Sequence, residues 1–142
     1  MVEAESYVDV NVFVYWLGKH PTLGKTAYQW IKKIENSPKD SYLTSTLTLY
    51  QTMVIIAGLT GNALKNTDLV KNFIDSITGL QGLKVVPLAL RDLIEARVLM
   101  EKYELDYEDA VHLAVALRNR VKEIISNDQD FDKTSLKRIF TR

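Results

Sequence analysis

The chain has 142 residues and no cysteine, which leaves out disulfides, zinc–thiolate sites and a thiol nucleophile. A hydrophobic fraction of 46%, a charged fraction of 25% and a formal net charge of zero fit one ordinary folded domain over residues 1–142. They argue against a uniformly basic nucleic-acid surface. No apolar run approaches the roughly 20 residues of a membrane span, and the opening residues, with Glu3 and Glu5, do not have the composition of a leader, so a cytoplasmic protein is expected.

Residues 6–16 are β-branched and aromatic, which predicts a buried strand running into a turn. Ala27, Trp30, Ile31 and Ile34 have helical spacing and predict an amphipathic helix over 23–36. Tyr42-Leu43-Thr44 reads as a short strand. Ser45 or Thr46 is placed to cap a helix over 46–59, with Leu47, Tyr50, Val54 and Ala57 on one face. Residues 58–66 read as a helix–helix connection, followed by a helix capped by Thr67 and ending near Gly79. Leu83–Val86 is a strand stopped by Pro87. Helices are predicted over 89–103 and 107–120, the second with Ala110, Leu113, Ala114 and Leu117 on one face. Glu123–Ser126 and a segment near Arg138–Phe140 complete the strands. Strands alternating with helices predict an α/β fold with a mainly parallel sheet, whose ligands gather beyond the carboxyl ends of the strands. No repeat or linker suggests a second domain.

Three acidic segments fall at the edges of these elements. They are Tyr7-Val8-Asp9-Val10-Asn11-Val12-Phe13, Asp109-Ala110-Val111-His112-Leu113-Ala114, and Ile125-Ser126-Asn127-Asp128-Gln129-Asp130-Phe131. A lone carboxylate at Asp9 in an apolar strand is costly unless it is paired or bound to metal, although a strand-end Asp also caps turns. Strand alternation puts Asn11 on the same face as Asp9. Asp109 opens a helix, where the dipole alone favours an acid, and Asp106 and Glu108 compete for that explanation. His112 follows one turn later, either as a contact to phosphate or as a packed structural residue. Asp128 and Asp130 follow a strand in what is also a good turn sequence. Brought together, these carboxylates would suit a hard cation such as Mg²⁺ beside a phosphate.

Charge is uneven along the chain. Residues 118–142 hold seven Lys/Arg (Arg118, Arg120, Lys122, Lys133, Lys137, Arg138, Arg142) against four acids, a local excess of +3. It reads either as a basic rim for a phosphate backbone or as a solvated surface. Two other motifs fail. Leu23-Gly24-Lys25-Thr26 is similar to the tail of a phosphate-binding P-loop, but Lys19 stands where that loop needs Gly. Asp9-Val10-Asn11 resembles the strand end of the haloacid-dehalogenase phosphatases, but Asn11 stands where they need a second Asp.

From Tyr7 to about Phe140, the order of the three segments resembles the PIN domain, and within it the small VapC-type toxins. The resemblance implies a Mg²⁺- or Mn²⁺-dependent endoribonuclease with its acids at one end of a parallel sheet. Asp9, Asp109 and Asp128 match the catalytic, metal-holding acids. Asp130 falls in the same loop as a further ligand, with Asn11 and Ser126 in supporting positions. The family's usual Glu after the second strand reads here as Gln51, unless the helix register is shifted. Gln51 brings no negative charge, so the acids would balance two divalent cations poorly. The resemblance then implies either a one-metal nuclease, or a weak or inactive module that binds RNA or a protein. It also implies a homodimer and an antitoxin partner reaching into the groove. Trp16, Tyr28 and Trp30 are candidates for such interfaces, or for the core.

Overall fold

The structure is a computed structural model that describes residues 4–62 and 64–141. These form five strands: β1 (Ser6–Val8), β2 (Tyr42–Ser45), β3 (Leu83–Val86), β4 (Glu123–Ile125) and β5 (Lys137–Ile139). They also form six α-helices: α1 (Val10–Leu17), α2 (Gly24–Glu35), α3 (Thr46–Thr60), α4 (Thr67–Thr78), α5 (Leu90–Tyr103) and α6 (Tyr107–Arg118). A 3₁₀ turn spans Gln129–Lys133. The strands make one all-parallel sheet in the order β3-β2-β1-β4-β5. The chain builds outward from β1 to β3, then crosses to the other side of β1 for β4. The switch point therefore lies between β1 and β4, where open α/β sheets hold their ligands.

Both faces of the sheet are covered, as a parallel sheet requires. Strand alternation sends Tyr7, Leu43 and Ile124 into one core, with Ala96, Leu99, Val111 and Val115 of α5 and α6. It sends Val8 and Ile125 into the other, with Phe13, Ala27, Trp30, Ile31, Ile34, Met53 and Ile77 of α1–α4. At the junction of α2 and β3 the backbones nearly touch. A Cβ at Gly82 would lie 2.1 Å from the Ile34 carbonyl oxygen, so no other residue fits there without moving main chain.

The structure corrects several expectations. The predicted 6–16 strand stops at Val8, and residues 10–17 are helix. Asp9 is the reason. Its backbone is extended and its carboxylate accepts from the Val10 N–H at 2.8 Å, which starts a helix that the β-branched residues would not choose alone. Ser45 is the cap of α3. The buried stripe of that helix is Thr48, Thr52, Met53, Ile56 and Ala57, whereas Tyr50 is 70% exposed and Val54 also faces out. The helix is apolar all round, so its periodicity does not pick a face. Asn66 rather than Thr67 caps α4, by accepting from the Leu69 N–H. α6 ends at Arg118, because Arg120 turns to a positive φ of 61°. Trp30 is core, Trp16 packs against it, and Tyr28 is about half exposed. Among the described residues no helix is long and apolar enough to cross a membrane.

Candidate active site

Asp9, Ser126 and Asp128 emerge from the carboxyl ends of β1 and β4, on the two sides of the switch point. Asp9 is buried and its carboxylate is well supplied with donors. One oxygen takes the Val10 N–H, and the other takes Ser126 Oγ at 2.6 Å and Asn11 Nδ2 at 3.2 Å. Ser126 in turn accepts from the Asp128 N–H at 3.0 Å and from Asn11 Nδ2 at 3.0 Å. Asn11 completes the lattice by accepting from the Asn127 N–H. The expected Asp9–Asn11 contact therefore exists, but it arises in the first turn of a helix rather than along a strand face.

Asp109 is the third residue of α6. Asp106, the cap, accepts its N–H at 2.9 Å and leaves the Asp109 carboxylate free to face the β4 exit. Asp128 caps the 3₁₀ turn by accepting from the Asp130 N–H at 2.9 Å. One carboxylate oxygen each from Asp109, Asp128 and Asp130 lie within 4.8 Å of one another. Asp9 is outside that close trio but lines the same groove, of about 500 Å³, with Asn11, Gln51, Glu108, Asp109, His112 and Asp128. Burial pushes the Asp109 carboxyl up to about 8, and the charges of Asp128, Asp106, Asp9 and Asp130 add to it. Asp130, the most exposed of the set, is partly neutralised by Lys133 at 3.4 Å. Converging hard oxygen donors that repel one another in the absence of a cation fit a divalent ion such as Mg²⁺ or Mn²⁺.

Gln51, on the second turn of α3, lines the same groove. Its Oε1 lies 2.6 Å from His112 Nε2, while His112 Nδ1 lies 2.7 Å from the Tyr7 hydroxyl. The Tyr7 hydroxyl in turn meets Ser45 Oγ at 2.8 Å and Thr48 Oγ1 at 3.2 Å. This pattern assigns the His112 proton to Nε2, which donates to Gln51, and the Tyr7 proton to the bond with Nδ1. Burial pushes the His112 imidazolium pKa down and the Tyr7 phenol pKa up, so both stay neutral. Of the two readings of His112, the packed one describes its surroundings.

Apart from Lys133, which pairs with Asp130, the basic residues do not form a rim beside this site. Arg118 pairs with Asp92 and Arg138 with Asp132. Arg120 and Lys122 precede β4 and Lys137 begins β5, at the opposite ends of those strands. Arg142 lies outside the described residues. Sequence reasoning missed Tyr7, Tyr50, Val54, Ile55 and Glu108 as site components. A tyrosine inside a buried strand needs a partner for its hydroxyl, and that was the available signal for Tyr7.

The family model for the PIN domain matches residues 6–137. The chain is a PIN-domain protein. No match was found among curated proteins. Solved structures with this fold include a toxin–antitoxin complex from Klebsiella pneumoniae, at 20% identity and a TM-score of 0.63, covering 89% of each chain. VapC20 of Mycobacterium tuberculosis, a toxin that cleaves the sarcin–ricin loop, aligns at 14% identity and a TM-score of 0.68, covering 89% of this chain and 92% of its own. VapBC2 from Rickettsia felis, bound to a fragment of its promoter DNA, aligns at 15% identity and a TM-score of 0.65, covering 94% and 96%. At these identities the likeness establishes a shared PIN fold.

Proposed function

We propose that this PIN domain is a Mg²⁺- or Mn²⁺-dependent endoribonuclease, the toxin of a toxin–antitoxin pair. The observation that carries the reading is the convergence of the Asp109, Asp128 and Asp130 oxygens in a groove that Asp9 also lines. Asp109 and Asp128 would hold the ion, with Asp130 and Asp9 supplying further negative charge. A divalent ion bound there supplies Lewis-acid polarisation of a phosphodiester and a water of lowered pKa. Ser126 and Asn11 fix the Asp9 carboxylate and the backbone of Asp128, so the acids are held in place before substrate arrives. His112 orients Gln51 and carries no proton to or from the reaction.

The toxin role draws on the solved relatives, two of which are toxin–antitoxin assemblies. An antitoxin segment fits the groove's second wall, where Val14, Tyr50, Val54 and Ile55 present apolar surface beside the acids. A homodimer, and action on RNA in the cytoplasm, belong to the same reading. The exposed Leu90, Ile94 and Val98 of α5 offer a second apolar face for a dimer. A second reading, a PIN domain that binds RNA or protein without cleaving it, is favoured by Gln51, which adds no charge.

The test is cleavage of a mixed single-stranded RNA pool in EDTA, Mg²⁺ or Mn²⁺, with Asp128→Asn in parallel. Metal-dependent cleavage that disappears in the variant supports the nuclease. No cleavage by folded protein with either metal moves the reading to the binding module.

A further inference from the structure

Among the described residues, the walls of the acidic groove contain no lysine or arginine. A phosphate entering it must find neutral donors, and most of those present are already engaged. The Val10 N–H is bonded to Asp9, Asn11 Nδ2 to Asp9 and Ser126, and His112 Nε2 to Gln51. The Gln51 amide nitrogen is different: among the described residues it has no hydrogen-bond partner. Its orientation is also set from behind. Because Oε1 takes the His112 Nε2–H at 2.6 Å, and His112 is held by the Tyr7 hydroxyl, the amide plane is fixed and its oxygen is turned to the protein interior.

We propose that Gln51 is a positioning residue for RNA, donating its side-chain N–H to a phosphate oxygen, and not a ligand to the metal. The inference rests on the nuclease reading of the groove. The Tyr7–His112–Gln51 chain runs from the sheet through α6 to α3 and ends in a donor aimed away from the core. A carboxylate at position 51 would accept from His112 equally well but would have no N–H to give. The glutamine therefore replaces one acceptor of a cation by one donor to an anion, in a groove with no other unengaged side-chain N–H among the described residues.

The test uses the full chain in Mg²⁺ with a 2′-O-methyl RNA oligonucleotide verified to remain uncleaved. The expected results are a shift of the Gln51 side-chain amide resonances as the oligonucleotide is added, and a Kd raised about five- to tenfold in Gln51→Ala, the scale of one lost hydrogen bond. Gln51→Glu, which keeps the acceptor for His112, should lose RNA affinity to the same degree. Mn²⁺ affinity of Gln51→Ala, by calorimetry, should stay within about twofold of the parent, and the His112 ring should show the Nε2–H tautomer in ¹⁵N spectra. A tenfold loss of Mn²⁺ affinity in Gln51→Ala, or unmoved amide resonances in a saturated complex, would overturn the proposal. Neither readout depends on turnover. An inactive chain that still shows the amide shift overturns the nuclease alone, and an active chain without it overturns the role of Gln51 alone.

Discussion

Asp109 carries the greatest electrostatic load in the groove. Its carboxyl, ordinarily near 3.8, is pushed up to about 8, first by burial and then by Asp128, Asp106, Asp9 and Asp130. Between those two values the folded protein keeps a proton that the unfolded chain has released. Without metal, this group's contribution to stability is therefore full below about 4 and is lost as pH rises to about 8. Thermal melts in EDTA should show Asp109→Asn level with the parent below about pH 4 and increasingly more stable than it as pH rises to about 8. A saturating divalent ion should reverse the order, because the parent carboxylate then has a partner and the asparagine does not. Melts with the same difference at every pH would show that Asp109 is not held protonated. Much of this residue-scale picture was legible from the three acidic segments. The close trio is Asp109, Asp128 and Asp130, and Asp9 was separated from it only by geometry. Asp9 meets three donors of its own, and no spacing along the chain reveals that Ser126, 117 residues away, is one of them.

The elements that position these residues depend on a few polar contacts between secondary structures. α5 and α6 are tied by Asp92, 2% exposed, which accepts two bonds from Arg118 and one from the Ala89 N–H. Burial would push the Asp92 carboxyl up, but these bonds outweigh it and hold it below the usual carboxylate range. Arg118→Ala leaves that carboxylate buried beside a single donor. A cost of about 3 kcal/mol is expected, the low end for a broken buried pair, because Arg118 remains partly in water. Urea unfolding measures it. A loss under about 0.5 kcal/mol would place the pair with ordinary surface ion pairs. Helices α2, α5 and α6 were legible in the sequence to within two residues. α1 was not, because its residues are strong strand formers and only the extended Asp9 cap and packing on α2 and α3 make them helical. The face of α3 was misread because apolar residues fall on every side of it, while the buried stripe itself includes Thr48 and Thr52.

For the whole molecule, the sheet order gathers every candidate acid at one edge. The C-terminal basic excess is divided between ion pairs and the far ends of β4 and β5. Linear charge along the sequence left open a basic rim beside the acids or a solvated surface. A parallel sheet separates residues that precede a strand from those that follow it by the strand's full length, so neighbours in sequence lie on opposite edges. The groove is left acidic on one wall and apolar on the other, with Gln51 as its unengaged side-chain N–H donor. Such a surface has little attraction for RNA until a cation offsets its charge, which makes metal binding the step on which the account depends. The decisive measurement is calorimetric titration of Mn²⁺ into the parent chain, Asp109→Asn and Asp128→Asn. The account predicts saturable binding to the parent, weakened at least about tenfold in each variant, the lower end of the loss seen when even a contact supporting a metal ligand is removed. Equal binding by all three proteins, or none to the folded parent, would contradict it.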